Sequence, residues 1–214
     1  MVNLIPTKNE WNKALEQRHG KELQRKFSSA TVAVCGLGGL GSNIAISLAR
    51  SGIGKLLLID YDLVDITNLH RQQYKANQVG MFKTEALVEN LKEMSPYTQI
   101  EAQNVRISKE NAGSLLQNAD IICEAFDEAE SKAELVDTVL ETMPNKYIVA
   151  ASGMAGLGSA NSIRTRRITS KFYLCGDEVS DVNDDIGLVS SRVMLCAAHQ
   201  AHTVLRILAE QFEI

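Results

Sequence analysis

The chain has 214 residues, 45% of them hydrophobic, enough to bury the core of one domain and too few for a second full-sized one. A formal net charge of −4 argues against a surface built to grip nucleic acid. No apolar run approaches the roughly 18 residues of a membrane span, Lys8, Glu10, Lys13 and Glu16 make the start unlike a secretory leader, and Cys35, Cys123, Cys175 and Cys196 form no C-x-x-C pair; a soluble, cytoplasmic chain without membrane partner or zinc is expected.

Residues 10–28 are charged and predict a helical arm (1–29) ahead of a single domain. TVAVC (31–35) is a β-branched apolar run, hence a buried strand. The glycine turn and helix of 36–54 follow, with Leu40, Ile44, Leu48 and Ile53 near helical spacing and Gly52 and Gly54 as the stop. KLLLID (55–60) is the second strand. The pattern predicts a helix over 83–94, with Ala86, Leu87, Asn90, Leu91 and Met94 on one face and Pro96 forbidding continuation. Residues 98–105 alternate as a strand, 119–126 form a buried strand, 128–141 a helix and 146–152 a strand. This rhythm specifies an α/β, Rossmann-like, mostly parallel sheet with helices on both faces. Residues 160–168 and 171–176 then read as adjacent antiparallel strands, and 187–210 as a long, mostly apolar final helix.

Gly36-x-Gly38-x-x-Gly41 lies between a strand and a helix, the setting in which this motif binds phosphate. The first glycine permits the tight turn, the second a close phosphate, the third close helix–strand packing. The helix N-terminus adds free N–H groups and partial positive charge. That dipole is worth only about 0.3–1 kcal/mol to an exposed anion, so further cations are expected. Asp60 ends the next strand, 19 residues past Gly41, where an acid bonds ribose hydroxyls.

The loop LIDYDLVDITNLHRQQY (57–73) crowds Asp60, Asp62, Asn68 and Arg71 together, with Lys83 shortly after. A nicotinamide dehydrogenase has no need of these cations. A protein that cleaves a nucleoside triphosphate does, because charge grows on the departing pyrophosphate. Arg supplies a planar fork for phosphate oxygens and Lys a point charge. Asp127 follows the strand 119–126 at its C-terminal end, and a carboxylate there suits Mg²⁺, which takes hard oxygen ligands.

The stretches VAVCGLGGLGSNIA, LLLIDYDLVDITNLHRQQY, VGMFKTEAL and EAFDEAESK together resemble the ThiF/MoeB-type adenylating enzymes, relatives of the ubiquitin-activating enzymes. The order is glycine loop, D-x-D-x-V, N-L-x-R-Q, G-x-x-K, then a strand ending in Asp, and the resemblance covers about residues 28–210. ASGMAGLGSANSIRTRR further resembles the short ThiF branch associated with thiamine biosynthesis. The resemblance implies ATP-dependent adenylation of the C-terminal Gly-Gly carboxylate of a small ubiquitin-like sulfur carrier protein, by a homodimer using ATP and Mg²⁺. It assigns Gly39, with Gly36, Gly38 and Gly41, to the nucleotide loop, and Asp60 with Asp62 to the nucleotide. Asn68, Arg71 and Lys83 would meet phosphates and Asp127 would hold Mg²⁺. An arginine from the partner's N-terminal arm completes such sites, either Arg18, the first candidate, or Arg25.

Longer relatives carry two C-x-x-C zinc pairs and a cysteine in the loop before the last helix. This chain has neither, and its corresponding loop reads GDEVSDVNDDIG. Adenylation needs none of these cysteines, but covalent sulfur or thioester transfer does. The turn SGMAGLGS (152–159) reads either as the floor of a slot for a Gly-Gly tail or as a crossover turn. RTRR (164–167) reads either as a docking face for an acidic carrier or as the solvated side of a strand. His199 and His202, three apart on the last helix, read as packing or dimer-surface residues. Rival functions are a tRNA threonylcarbamoyladenosine dehydratase-like RNA modification at the same ATP site, a nicotinamide oxidoreductase, and a non-catalytic nucleotide sensor.

Overall fold

The computed structural model describes residues 5–183 and 186–214. The arm is two helices: α1 (Lys8–His19) and α2 (Lys21–Ser29). Thr7 caps α1 with a reciprocal box: its hydroxyl accepts from Glu10 N, and its own N–H donates 2.8 Å to the Glu10 carboxylate. The helical arm expected over 10–28 divides at Gly20, whose φ of +82° is left-handed and ends α1. The rest comprises β1 (Thr31–Cys35), α3 (Gly39–Arg50), β2 (Lys55–Asp60), α4 (Lys83–Met94), β3 (Gln99–Asn104), α5 (Ala112–Leu116) and β4 (Ile121–Glu124). It continues with α6 (Ala129–Thr142), β5 (Tyr147–Ala151), β6 (Arg164–Arg167), β7 (Phe172–Gly176) and α7 (Ser190–Leu208). The short helix α5 carries no periodic signal long enough to predict it.

The sheet runs β3-β2-β1-β4-β5-β7-β6. Every neighbouring pair is parallel except β6–β7, which closes the edge antiparallel. The predicted pair near the C-terminus is therefore present, with β7 also joining β5 in parallel. Strand β3, at the opposite edge, is mostly exposed, so its alternation pairs one edge with β2 without burying a face.

Alternating strand residues feed two cores. Val32, Val34, Leu56, Leu58, Cys123 and Val149 meet Ile44, Leu48, Leu87, Leu91 and Val204 of α3, α4 and α7. Ala33, Cys35, Leu57, Ile59, Ile122 and Ile148 face the other way, toward Leu116, Leu135 and Val139 of α5 and α6. Each buried aliphatic contributes about 1.5–3 kcal/mol. Burial on both faces explains why β1, β2, β4 and β5 read as continuous apolar runs.

The arm lies at the amino edge of the sheet. Gln24 donates to the Gly52 carbonyl (3.2 Å) just before β2, and Trp11 stands edge-on to Tyr97 just before β3. Trp11 thus packs within its own chain.

Candidate active site

Chain order reverses between β1 and β4: β1 leads outward to β2 and β3, while β4 leads the other way to β5. Open α/β sheets bind ligands at this switch point, beyond the carboxyl ends of the strands. A cleft occupies it, walled by Gly36, Gly38, Gly39, Asp60, Asp62, Arg71, Gln72, Lys83 and Asp127.

The glycine turn has the tight geometry its spacing predicts. Gly36 has φ +90°, and a Cβ on it would sit 2.7 Å from the Ala125 carbonyl at the end of β4. A Cβ on Gly41 would come within 1.8 Å of the Gly36 carbonyl, so only glycine lets α3 begin that close to β1. Gly38 caps α3 without a side-chain bond, leaving first-turn N–H groups available to an anion.

Asp60 holds that turn. One carboxylate oxygen accepts from Leu37 N (2.6 Å) and the other from Asp62 N (2.7 Å). Burial pushes its carboxyl pKa up, while the nearby Lys83 charge and the two backbone donors pull it back. Tyr74 donates to the Leu37 carbonyl at 2.7 Å from the same side. Burial, then the charges of Asp60 and Asp62, push its phenol up.

The cations are placed by contacts across the loop. Lys83 Nζ donates to Asp62 Oδ2 at 2.6 Å, with the lysine buried and the aspartate half-exposed. Arg71 lays its aliphatic stem against Gly39, and its Nη2 donates to Asn68 Oδ1 at 3.1 Å. Its Nε is buried and has no hydrogen-bond partner. Burial lowers the guanidinium pKa and the Asp127 carboxylate partly restores it. Asn68, at the end of a short 3-10 turn (Ile66–Asn68), is not part of the cleft wall and reaches it through Arg71.

Gln72 and Lys132 line the cleft, and the buried Glu124 supports Lys132 from outside the lining. Gln72 is buried, its Oε1 without a partner and its Nε2 facing Gly38. Glu124 is wholly buried at the end of β4, and Lys132 of α6 donates to it at 2.9 Å. Gln72 and Lys132 stand in the N-L-x-R-Q and EAESK motifs, a signal that was available. Glu124 carries one only as a lone charge closing an apolar run.

The far end of the cleft is the second glycine turn, Ser152 to Ala155, with Leu188 and Val193. Arg192, buried at the start of α7, fastens this turn. Its Nε donates to the Ala155 carbonyl (3.0 Å), and Nη1 to the Gly158 and Ser159 carbonyls (both 2.8 Å). Nη2 pairs with the Asp177 carboxylate. The turn is a cleft wall as well as a crossover.

Arg18 and Arg25, on the arm at the amino edge, do not line this chain's own cleft. The RTRR strand β6 is the exposed edge, and its Arg166 pairs with Glu178. His199 Nδ1 lies 2.9 Å from Thr165 Oγ1, and burial, then His202, lower its pKa. All four cysteines are buried. Burial raises each thiol, Cys175 to about 11.

Among the described residues no three His, Cys, Asp or Glu side chains converge to cage a metal. Asp127 offers hard carboxylate oxygens beside Arg71 in the cleft wall. That donor suits Mg²⁺, which binds through one or two carboxylates plus substrate phosphates. No helix among the described residues is long and apolar enough to cross a membrane.

These features define a Rossmann-like α/β fold with a cleft at the switch point of its sheet. Residues 12–213 match the ThiF family, and the chain belongs to it. It is 36% identical over 136 residues to adenylyltransferase and sulfurtransferase MOCS3 of Xenopus laevis, covering 63% of this chain and 30% of that one. It is 39% identical over 125 residues to ubiquitin-like modifier-activating enzyme 5 of Caenorhabditis briggsae, covering 58% and 28%. The chain thus spans about a third or less of these relatives' length. In fold it is similar to E. coli tRNA N6-threonylcarbamoyladenosine dehydratase solved with ATP: TM-score 0.85, 20% identity, 97% of this chain and 98% of that one. E. coli MccB solved with MccA-N7isoASN gives TM-score 0.69 and 19% identity over 96% and 66%.

Proposed function

We propose that this domain adenylates the C-terminal glycine carboxylate of a small ubiquitin-like sulfur carrier protein, within thiamine biosynthesis. The observation that carries the proposal is that Arg71 and Asp127 line one cleft at the glycine turn, with Arg71 Nε and Gln72 Oε1 buried and unpartnered. Buried polar groups are rarely left unpaired, and a bound nucleotide offers both acceptors and donors.

ATP would lie with its phosphates over the start of α3 and its ribose toward Asp60. The carrier carboxylate attacks the α-phosphorus, the bond to pyrophosphate breaks, and an acyl-adenylate remains. A carboxylate is already nucleophilic at neutral pH, so no general base is required. Arg71 and Lys83 stabilise the departing charge, and losing one such donor costs about 10²–10³ in rate. Mg²⁺ held by Asp127 would neutralise phosphate charge. The Ser152–Ala155 wall suits a narrow glycine tail, because small residues let two backbones approach. The exposed arginines of β6 give an acidic carrier a docking face. A second copy would bring Arg18 or Arg25 to the phosphates. With all four cysteines buried, sulfur would be delivered by groups outside this domain.

The test is pyrophosphate exchange with carriers ending in Gly-Gly. Carrier-dependent exchange is expected, and ATP binding without it would leave a nucleotide sensor. The likeness to the E. coli tRNA dehydratase, which spans nearly the whole chain, favours RNA modification as the second reading. Binding of tRNA with a steep salt slope would select that reading.

A further inference from the structure

The pair Glu124–Lys132 places a wholly buried carboxylate against a lysine of the cleft wall. Glu124 is wholly buried and the Lys132 side chain is 21% exposed. A buried ion pair is often no more stabilising than an apolar pair of the same size, so its presence calls for a local reason. The hydrogen bonds supply one. Glu124 Oε1 accepts from Phe126 N at 2.7 Å and from Lys132 Nζ at 2.9 Å. Lys132 Nζ also donates to the Phe126 carbonyl at 2.7 Å. Both polar backbone groups of Phe126 are therefore held by this one pair.

The Phe126 carbonyl belongs to the peptide plane whose nitrogen is that of Asp127. Fixing its oxygen fixes the plane, and with it the direction in which Asp127 leaves the chain. The same carboxylate reaches the other side of the cleft, where Glu124 Oε2 accepts from Ala151 N at 3.4 Å. Ala151 ends β5 and leads directly into the Ser152–Ala155 wall. Behind it, Gln200 of α7 donates to the Glu124 carbonyl at 2.8 Å and to the Val149 carbonyl at 3.1 Å. Glu124 is thus a buried strut between the loop that carries Asp127 and the strand that carries the far wall.

The geometry points to Glu124 and Lys132 as positioning residues that preset Asp127 to receive the divalent cation of a metal–nucleotide complex. This rests on the assignment of Mg²⁺ to Asp127 above. Lys132 keeps the neighbouring carboxylate neutralised, so that Asp127 faces the polyphosphate without a second uncompensated charge. Neither residue has to touch the nucleotide. Outer-shell partners of this kind change metal affinity by about 10–100-fold when removed.

The test measures ATP binding by calorimetry while Mg²⁺ is titrated, and again in EDTA. Lys132→Met strands a buried carboxylate and risks misfolding. The double variant Glu124→Gln/Lys132→Met removes both charges at similar volume, and a cooperative melt checks its fold. The expected result is a half-saturating Mg²⁺ concentration raised about 10–100-fold, with ATP affinity in EDTA unchanged. Lys132→Arg, which keeps charge and donors, restores most of the Mg²⁺ response. An unchanged Mg²⁺ requirement in the folded double variant overturns the positioning role. Weakened ATP binding in EDTA also overturns it, because Lys132 would then touch phosphate itself. If Asp127→Asn leaves the Mg²⁺ dependence of the otherwise unaltered chain intact, the assignment beneath it fails instead.

Discussion

The ammonium of Lys83 lies 2.6 Å from the carboxylate of Asp62, the lysine buried and the aspartate half open to solvent. The Lys83 N–H also donates to the Asp62 carbonyl at 2.9 Å, which locks the start of α4 to the loop after β2. An incoming phosphate can share this ammonium, because Lys offers three donors. Lys83→Met should lower carrier-dependent pyrophosphate exchange by about 10²–10³. Asp62→Asn should cost less than the roughly 3–5 kcal/mol of breaking a fully buried pair, because Asp62 is half open to solvent and its amide still offers the lysine an acceptor. Exchange assays and chemical denaturation on both variants check this, and an exchange rate near normal in Lys83→Met would remove the lysine from the mechanism.

Arg71 and Asn68 should separate by magnitude. Arg71→Ala removes the guanidinium with its unpartnered Nε, and exchange should fall by at least about 10². Arg71→Lys should recover little, since a point charge does not replace a planar fork. Asn68→Ala acts only through the 3.1 Å bond that orients Arg71, so its loss should be the smaller of the two. Equal losses in Asn68→Ala and Arg71→Ala would mean that Asn68 meets substrate directly.

The Arg192–Asp177 pair should dominate the stability of the cleft's far wall. Removing one partner of a buried pair costs about 3–5 kcal/mol, so Asp177→Asn should be that much less stable in urea at pH 7. Burial opposes ionisation of Asp177, but the Ser180 and Val179 donors and Arg192 together hold its carboxyl below its usual value. A depressed carboxyl contributes stability above its unfolded value of about 3.9 and loses it as pH falls through the folded value. The stability gap between the parent chain and Asp177→Asn should therefore narrow below about pH 4. A gap that widens on acidification would reverse the sign.

Thiol chemistry should be silent in the folded state. A disulfide reagent should label none of Cys35, Cys123, Cys175 or Cys196 rapidly at pH 7.5 and all four after denaturation, because burial raises every thiol. Cys175→Ala should retain exchange. Fast labelling of a native thiol would restore a covalent step on this chain.

Nucleotide choice should appear in melting curves. Bound ligand stabilises by about 2.7 kcal/mol at one hundred times its Kd, so ATP with Mg²⁺ should raise Tm by several degrees and NAD should not. A shift with NAD alone would favour the oxidoreductase.

Most of the framework was legible along the chain. Apolar runs such as Val32–Cys35 and Leu56–Ile59 are continuous because their strands are covered on both faces. The glycine spacing is local, and its function depends on one strand–turn–helix unit. The break at Gly20 and the five-residue α5 were not legible, since a lone glycine and a single turn leave almost no periodic trace.

By itself the sequence determined the parallel sheet, the glycine turn, and the order of acids and cations along the chain, because each is written within a short span. Only the tertiary structure decided how they are held. Glu124 clasps Lys132 eight positions on, and Arg192 reaches back across 34 positions to Gly158. Lys83 finds Asp62 across a 21-residue separation, and Asn68 accepts from Arg71. Such pairings have no period in the chain. They arise because closing the switch point removes these polar groups from water, and a group so removed must find its partner wherever the packed sheet brings one.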